Sequence, residues 1–424
     1  MSSDTTHPVS SPTRPVRPAL WVVPVVLAVL ALWFSFHSWG PLKRYSGDFI
    51  DLQVYQLGIE AMRHGSDLYG QLPKTSAGIG LPFIYPPFAA IALQPFALLP
   101  WSVSKTLYVV LSLAALTWAL YLVARRYRPD DRETAVWIAA CALPLAMFLE
   151  PVRATLDFGQ VNLLLMGLVA ADCLTPRTRW PRGVLIGIAA AIKLTPAAFV
   201  LFFLIRKDYR AAVTAASTGA VATAASFLIL HTESMRYWFG GLGNVSGLSG
   251  SDFHTNQSIQ AVLARLKFDG FAFDALWVVF GLLVLALVVA AMRKAADEPA
   301  LALSMNAVFT LLLSPISWSH HWVWIAPALL AMVLYAVRLP RRRALGWYAT
   351  IAVTAGVFYY APHNYLPGDK HLEQAWTPMQ HIVGDTYVWL AVALIVLFLV
   401  TGRRPVTPPS RPRARPETEP VAVS

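Results

Sequence analysis

The chain has 424 residues, of which 56% are apolar and only 13% charged, and its mean hydropathy is +0.53. Soluble proteins carry about 25% charged residues, so these figures exclude an ordinary soluble enzyme or binding module and describe an all-α integral membrane protein. The net charge of +11 does not call for nucleic acid as a partner, because 23 of the 34 Lys and Arg fall in the tails and in the short loops on one side, as the positive-inside rule expects.

A polar, Ser/Thr/Pro-rich cytoplasmic tail, 1–18, leads into a first span at 19–37, which no convincing cleavage site follows. Residues 38–100 form the first outer loop. Within it Ile50, Val54, Leu57 and Ala61 recur at helical spacing and Gly65 supplies a stop, which predicts an amphipathic helix lying in the membrane interface. Asp51 falls in its first turn, where the helix dipole favours a carboxylate, and Asp48 stands where a capping residue would. Pro86 and Pro87 open a second apolar stretch, 88–99, too short to cross and expected as another interfacial helix.

Further spans are expected at 101–124, 134–149 and 161–174. The stretch 183–205 has the length of one span, but Arg182 precedes it and Arg206, Lys207 and Arg210 follow it. Basic residues at both ends favour a hairpin of two short helices meeting outside at Lys193-Leu194-Thr195-Pro196, with a single span as the alternative. Spans at 211–230, 276–292, 300–313, 322–337, 345–360 and 387–400 complete about twelve membrane segments in a polytopic domain, 19–401. The Pro/Arg-rich tail 402–424 is expected to be disordered in the cytoplasm. Cys141 and Cys173 lie within spans, read as small apolar residues, and suggest neither a disulfide framework nor a metal site.

This path collects polar clusters on one side of the membrane: Asp48 and Asp51; Tyr85-Pro86-Pro87; Glu150-Pro151-Val152-Arg153 through Asp157, Gln160 and Asn162; Lys193; Asn256-Gln257; and Ser314-Pro315-Ile316-Ser317-Trp318-Ser319-His320-His321-Trp322. Ionisable groups at membrane depth are costly and face a cavity or a partner, so their convergence at one level points to a site. Each also has a plainer account. Glu150 and Arg153, three apart, are placed to pair with each other, and Lys193 to snorkel as a helix-end residue. Adjacent histidines diverge on a helix, so His320 and His321 suit hydrogen bonding or proton handling better than a shared metal, and no metal or cofactor is expected.

A carboxylate, one or two cations and an imidazole at an outer membrane face suit transfer from a lipid-linked phosphate. The cations would neutralise the leaving phosphate and the carboxylate would deprotonate an acceptor hydroxyl. There is no G-x-x-x-x-G-K-[ST] loop for ATP, and no D-x-D nucleotide-sugar motif in a soluble domain, so a polyprenyl-phosphate sugar is the better donor.

The run of Asp51-Leu52-Gln53-Val54-Tyr55, Tyr85-Pro86-Pro87-Phe88-Ala89-Ala90, Glu150-Pro151 through Gln160-Val161-Asn162, Lys193-Leu194-Thr195-Pro196 and Leu313-Ser314-Pro315-Ile316-Ser317-Trp318 with His320-His321-Trp322 resembles glycosyltransferase family 87. The likeness, over roughly residues 45–325, is strongest to the polyprenyl-phosphate-mannose-dependent α-1,2-mannosyltransferases that build higher phosphatidylinositol mannosides. It implies a GT-C fold, catalysis at the periplasmic face of the plasma membrane, polyprenyl-phosphate mannose as donor and a phosphatidylinositol mannoside as acceptor. It maps the essential acid onto Asp51 and the histidine pair onto His320 and His321. Lys193 and Arg153 are expected at the donor phosphate, with Asp48, Tyr85, Glu150, Asp157, Gln160, Asn256, Gln257 and Trp318 as weaker substrate contacts. Branching of lipomannan or lipoarabinomannan is an alternative outcome with the same donor. A lipid-linked-sugar flippase or other transporter is the reading from a different class, and it would call for inverted repeats that the sequence lacks.

Overall fold

The computed structural model describes residues 16–37, 47–240, 251–368 and 371–402; most of both expected tails lies outside these. The regular elements among the described residues are all helical, their strand-like feature being one isolated bridge between Asn256 and Trp318. Helix α1 (Val22–His37) follows a short 3-10 turn and packs on α6. Helix α2 (Ile50–Arg63) forms as its periodicity predicts, with Leu52, Tyr55 and Ile59 fully buried on one face and Gly65 at positive φ after its end.

The expected second interfacial helix breaks at Leu93 into α3 (Pro87–Ala92) and α4 (Gln94–Leu98), because Pro95 cannot donate to the preceding turn. Helix α5 (Trp101–Tyr127) is long enough to cross. Helix α6 (Arg132–Ala146) then bends by 77° into α7 (Glu150–Phe158), so the Glu150 cluster is a helix crossing the end of its span. After a tight turn at Gly159, α8 (Asn162–Leu174) returns and packs on α5.

Residues 183–205 fold back on themselves. Helix α9 (Val184–Ile192) stops at Lys193, whose backbone is extended, and a 3-10 turn leads into α10 (Val200–Ile205). Arg182 and Arg206, at the two ends, both lie near Arg126, at the end of α5 remote from the polar clusters. Helix α11 (Tyr209–Ile229) consequently runs parallel to α9: a Cβ on Gly187 would stand 2.6 Å from the Ala215 carbonyl oxygen, so the two helices touch at their backbones. A single span would have made them antiparallel.

Helices α12 (His231–Phe239) and α13 (Ile259–Arg265) precede the long α14 (Gly270–Lys294) and the buried α15 (Pro299–Leu313). A 3-10 segment, Ser319–Trp324, opens α16 (Ile325–Ala336), and α17 (Arg341–Tyr360), α18 (Pro378–Gly384) and α19 (Thr386–Thr401) complete the chain. Among the described residues, α5, α11 and α14 are each long and apolar enough to cross a bilayer. The bent pairs α6–α7 and α18–α19 raise that to five; α17, of 20 residues, opens on three arginines and is less apolar, and the other expected segments are shorter helices. The expected outer loops meet in one polar layer. Arg265 is fully buried and pairs with Asp385 at 2.6 Å, His254 with Glu373 at 3.2 Å and His371 with Asp252 at 2.8 Å.

Candidate active site

A cavity of about 610 Å³ opens among α2, the Tyr85-Pro86 turn, α7, the Lys193 break and the segment 314–321. Asp51, Tyr85, Glu150, Arg153, Gln160, Lys193, Trp318, His320 and His321 all line it, so residues from widely separated stretches of sequence converge as expected. Asp48, Asp157, Asn256 and Gln257 do not line it. Asp48 does not cap α2 either. The cap position is Phe49, in the left-handed region at φ 50°, and no side chain caps the helix. Its start is satisfied from elsewhere: the Phe49 N–H donates to the Asp157 carbonyl at 3.0 Å, and the Gly47 N–H to Asp157 Oδ1 at 2.6 Å. Asp157 thus holds the loop that carries the acid.

Asn256 and Gln257 are buried behind the wall. Asn256 Oδ1 accepts the Ser317 N–H at 2.9 Å, the Gln257 N–H donates to the Ser317 carbonyl at 2.7 Å, and Gln257 Nε2 donates to the Gly384 carbonyl at 2.8 Å. They brace the segment that carries Trp318 and the histidines, which is why an Asn-Gln pair beside a polar loop reads like a contact in sequence.

Asp51 lies in the first turn of α2, outside the spanning helices. Its Oδ2 accepts from Gln160 Nε2 at 3.2 Å, and Gln160 Oε1 in turn accepts from Tyr85 at 2.9 Å and lies 2.7 Å from the Tyr55 hydroxyl, the two hydroxyls being 3.0 Å apart. Burial pushes its carboxyl up to about 6, against the opposing pull of the Lys193 ammonium and the Gln160 bond. The Lys193 ammonium donates to Asn162 Oδ1 at 3.0 Å and approaches His321 Nε2 at 3.4 Å, with the Tyr85 ring centroid 5.6 Å away. With Nε2 facing an ammonium, the proton of neutral His321 sits on Nδ1.

His320 is placed differently. Its ring stacks edge-on against Phe158, centroids 5.0 Å apart, and its carbonyl accepts from Asn162 Nδ2 at 3.0 Å. Of the two histidines, therefore, His321 is the one whose ring meets the cation. Glu150 is 3% exposed; its two oxygens accept from Ser319 at 2.7 Å and Tyr387 at 3.0 Å, and Arg153 donates to the Tyr359 carbonyl at 3.3 Å.

Tyr55 and Ser319, which the sequence places in motifs without a role of their own, and Tyr387, which it passes over, support the site. A tyrosine inside an apolar stretch needs a partner for its hydroxyl, which is the signal they carry, but it does not name the partner. Phe253, Asn364 and Tyr365, from outer loops, and Tyr360, at the end of α17, also line the cavity without a distinguishing sequence pattern.

In chemical terms the cavity offers a carboxylate that can take a proton, an ammonium whose charge acts on it, and aromatic and polar walls. Comparison with known proteins gives the same picture a lineage. The model of glycosyltransferase family 87 matches residues 83–315. The chain is 37% identical over 406 residues to the polyprenol-phosphate-mannose-dependent alpha-(1-2)-phosphatidylinositol mannoside mannosyltransferase of Mycobacterium tuberculosis, covering 92% of this chain and 93% of that one. It is 39% identical over 377 residues to the enzyme of the same description from Mycolicibacterium smegmatis, covering 84% of each. Among solved structures, ArnT from Cupriavidus metallidurans bound to undecaprenyl phosphate aligns with a TM-score of 0.41 and 17% identity, over 91% of this chain and 78% of that one. A family match across more than half of the residues, shared with relatives that align along most of their length, makes this chain a member of glycosyltransferase family 87.

Proposed function

We propose that the protein transfers mannose from polyprenyl-phosphate mannose to a phosphatidylinositol mannoside, forming an α-1,2 link at the periplasmic face of the plasma membrane in a GT-C arrangement. The observation that carries this reading is that Asp51 and Lys193 face one cavity with His321, in a chain whose full-length relatives bear that activity in their names. Asp51 is the general base. It takes the proton of the acceptor hydroxyl as that oxygen bonds to the anomeric carbon, while the bond from that carbon to the phosphate oxygen breaks and polyprenyl phosphate leaves. A β-linked donor then gives an α-linked product in one displacement. Lys193, with Arg153 further along the cavity, offsets the charge that develops on the departing phosphate, where a low dielectric makes a fixed cation effective.

The test is a transfer assay with purified protein, polyprenyl-phosphate mannose and a panel of mannoside acceptors, with linkage analysis of the product. Wild-type protein should form an α-1,2 mannoside, and Asp51→Asn should retain donor binding while losing at least the roughly 10²-fold expected for acid–base catalysis. A wild-type protein inert with every mannoside would sink the substrate assignment. An Asp51→Asn variant at wild-type rate would remove Asp51 as base.

A further inference from the structure

The sequence suggested Gln160 as a substrate contact, but its geometry points elsewhere. Its side-chain oxygen is fully engaged: it accepts from Tyr85 at 2.9 Å and from the Val161 N–H at 3.1 Å, and the Tyr55 hydroxyl lies 2.7 Å away, its single proton shared between this oxygen and the Tyr85 hydroxyl 3.0 Å from it. Those neighbours fix which end of the amide is which. Turning it over would set its NH₂ against the Val161 N–H and its oxygen against the Asp51 carboxylate, exchanging good bonds for two repulsions. The NH₂ end is therefore committed to Asp51 Oδ2, at 3.2 Å.

The backbone beneath it is fixed as well. The Gln160 N–H donates to the Thr155 carbonyl at 3.0 Å, and the Gln160 carbonyl accepts from Tyr108 at 2.9 Å. Gly159, at φ +73°, lets α2 approach so closely that an added Cβ would stand 2.6 Å from Leu52 Cβ. Tyr55 is fully buried and does not line the cavity, so its hydroxyl acts on the site only through its neighbours.

Resting on the reading of Asp51 as base, we propose that Gln160 is a positioning residue held by a tyrosine clamp: Tyr55 and Tyr85 lock its amide so that it orients the Asp51 carboxylate toward the acceptor and favours its ionised form. The lock links groups behind the cavity wall to the carboxylate through the Gln160 N–H···O bond. A bond donated to a charged oxygen stabilises that charge, so loosening the lock makes the base harder to ionise.

Tyr55→Phe is the discriminating variant, because it removes one hydroxyl that no substrate can reach. Steady-state mannose transfer would be measured from about pH 5 to pH 8 for wild type, Tyr55→Phe, Gln160→Leu, Asp51→Asn and the Asp51→Asn/Gln160→Leu pair. Gln160→Leu should lower kcat on the order of tenfold and move the acid limb of the profile up by about one pH unit, the worth of one bond to a charged group. Tyr55→Phe should do the same to a smaller extent, with the donor KM unchanged in both. On the Asp51→Asn background, Gln160→Leu should cost nothing further.

A wild-type acid limb in well-folded Tyr55→Phe overturns the clamp. So does a Gln160→Leu defect confined to KM, which would return Gln160 to substrate binding. If Gln160→Leu does not fold, Tyr55→Phe decides alone. These failures are distinct from failure of the proposed function, which would appear as an inert wild type or an active Asp51→Asn.

Discussion

Gly159→Ala should damage catalysis more than stability. Alanine in the left-handed region costs about 1–2 kcal/mol. The new Cβ would lie 2.6 Å from Leu52 Cβ and 3.2 Å from the Leu52 backbone nitrogen, while ordinary carbon contacts begin at about 3.5 Å. Neither neighbour is the free end of a flexible side chain, so α2 itself must retreat by roughly 1 Å to restore contact distance. Asp51 precedes Leu52 and moves with it. The Gln160–Asp51 bond, already 3.2 Å, would then exceed hydrogen-bond range. A displacement of about 1 Å at a reacting group can cost about 10²-fold in rate. The natural control is Gly78→Ala, also at positive φ (+76°) but with nothing within 4 Å of the added carbon. It should show the backbone cost without the catalytic one. Thermal unfolding in detergent and mannose transfer, measured on both variants, check this. Equal transfer by the two would mean that close packing of α2 on the 159 turn does not set the position of Asp51.

Lys193→Met keeps the length of the stem and removes the charge; transfer should fall by about 2–4 kcal/mol of transition-state stabilisation with folding retained, and near-normal turnover would make Lys193 a snorkelling residue. Since burial raises the Asp51 carboxyl to about 6, it is ionised above that value and protonated below it, so with Asp51 as the proposed base kcat/KM should be level above about pH 7 and fall tenfold per unit well below pH 6. A rate independent of pH through that range would show that Asp51 is not the group titrating. Arg265→Met leaves the buried Asp385 carboxylate without its 2.6 Å partner and should destabilise the outer layer by about 3–5 kcal/mol. Adding Asp385→Leu should recover much of that loss in a thermal melt; no recovery would place the cost in the other bonds of Arg265.

The sequence was most legible where a single physical rule decides the outcome. Hydrophobic period located α2, and paired basic clusters around 183–205 implied the fold-back that brings Arg182 and Arg206 together. The costliness of ionisable groups in lipid collected Asp51, Glu150, Lys193 and the histidines into one cavity before any contact was known. It was least legible where one polar residue serves another. Asp157 and Asn256 have the residue types and positions of substrate contacts, yet their partners are backbone groups of Gly47, Phe49 and Ser317. Whether a buried polar side chain faces a cavity or a loop depends on packing between distant segments, and local sequence does not encode that. The break at Leu93 was missed for a smaller reason: the apolar run hid a proline two residues further on.

The turn joining α7 to α8 does more than hold Asp51. Gln160 donates to Asp51, and Asn162, two residues later, accepts from Lys193 and donates to the His320 carbonyl. One short stretch of backbone thus references both Asp51 and Lys193, which line the cavity. In a membrane enzyme this matters because helices packed in lipid gain little from hydrophobic association and can shift against one another. If α2 and α9 were located only by their own packing, the separation of Asp51 and Lys193 would vary with every such shift. Tying both side chains to the same turn makes that separation depend on hydrogen bonds a few ångströms long, so the two charges move together. Electrostatic catalysis rests on such preorganisation, since a donor that must be relocated during the reaction loses part of its advantage to reorganisation. Gln160 and Asn162 therefore tie the two charges to one turn of backbone.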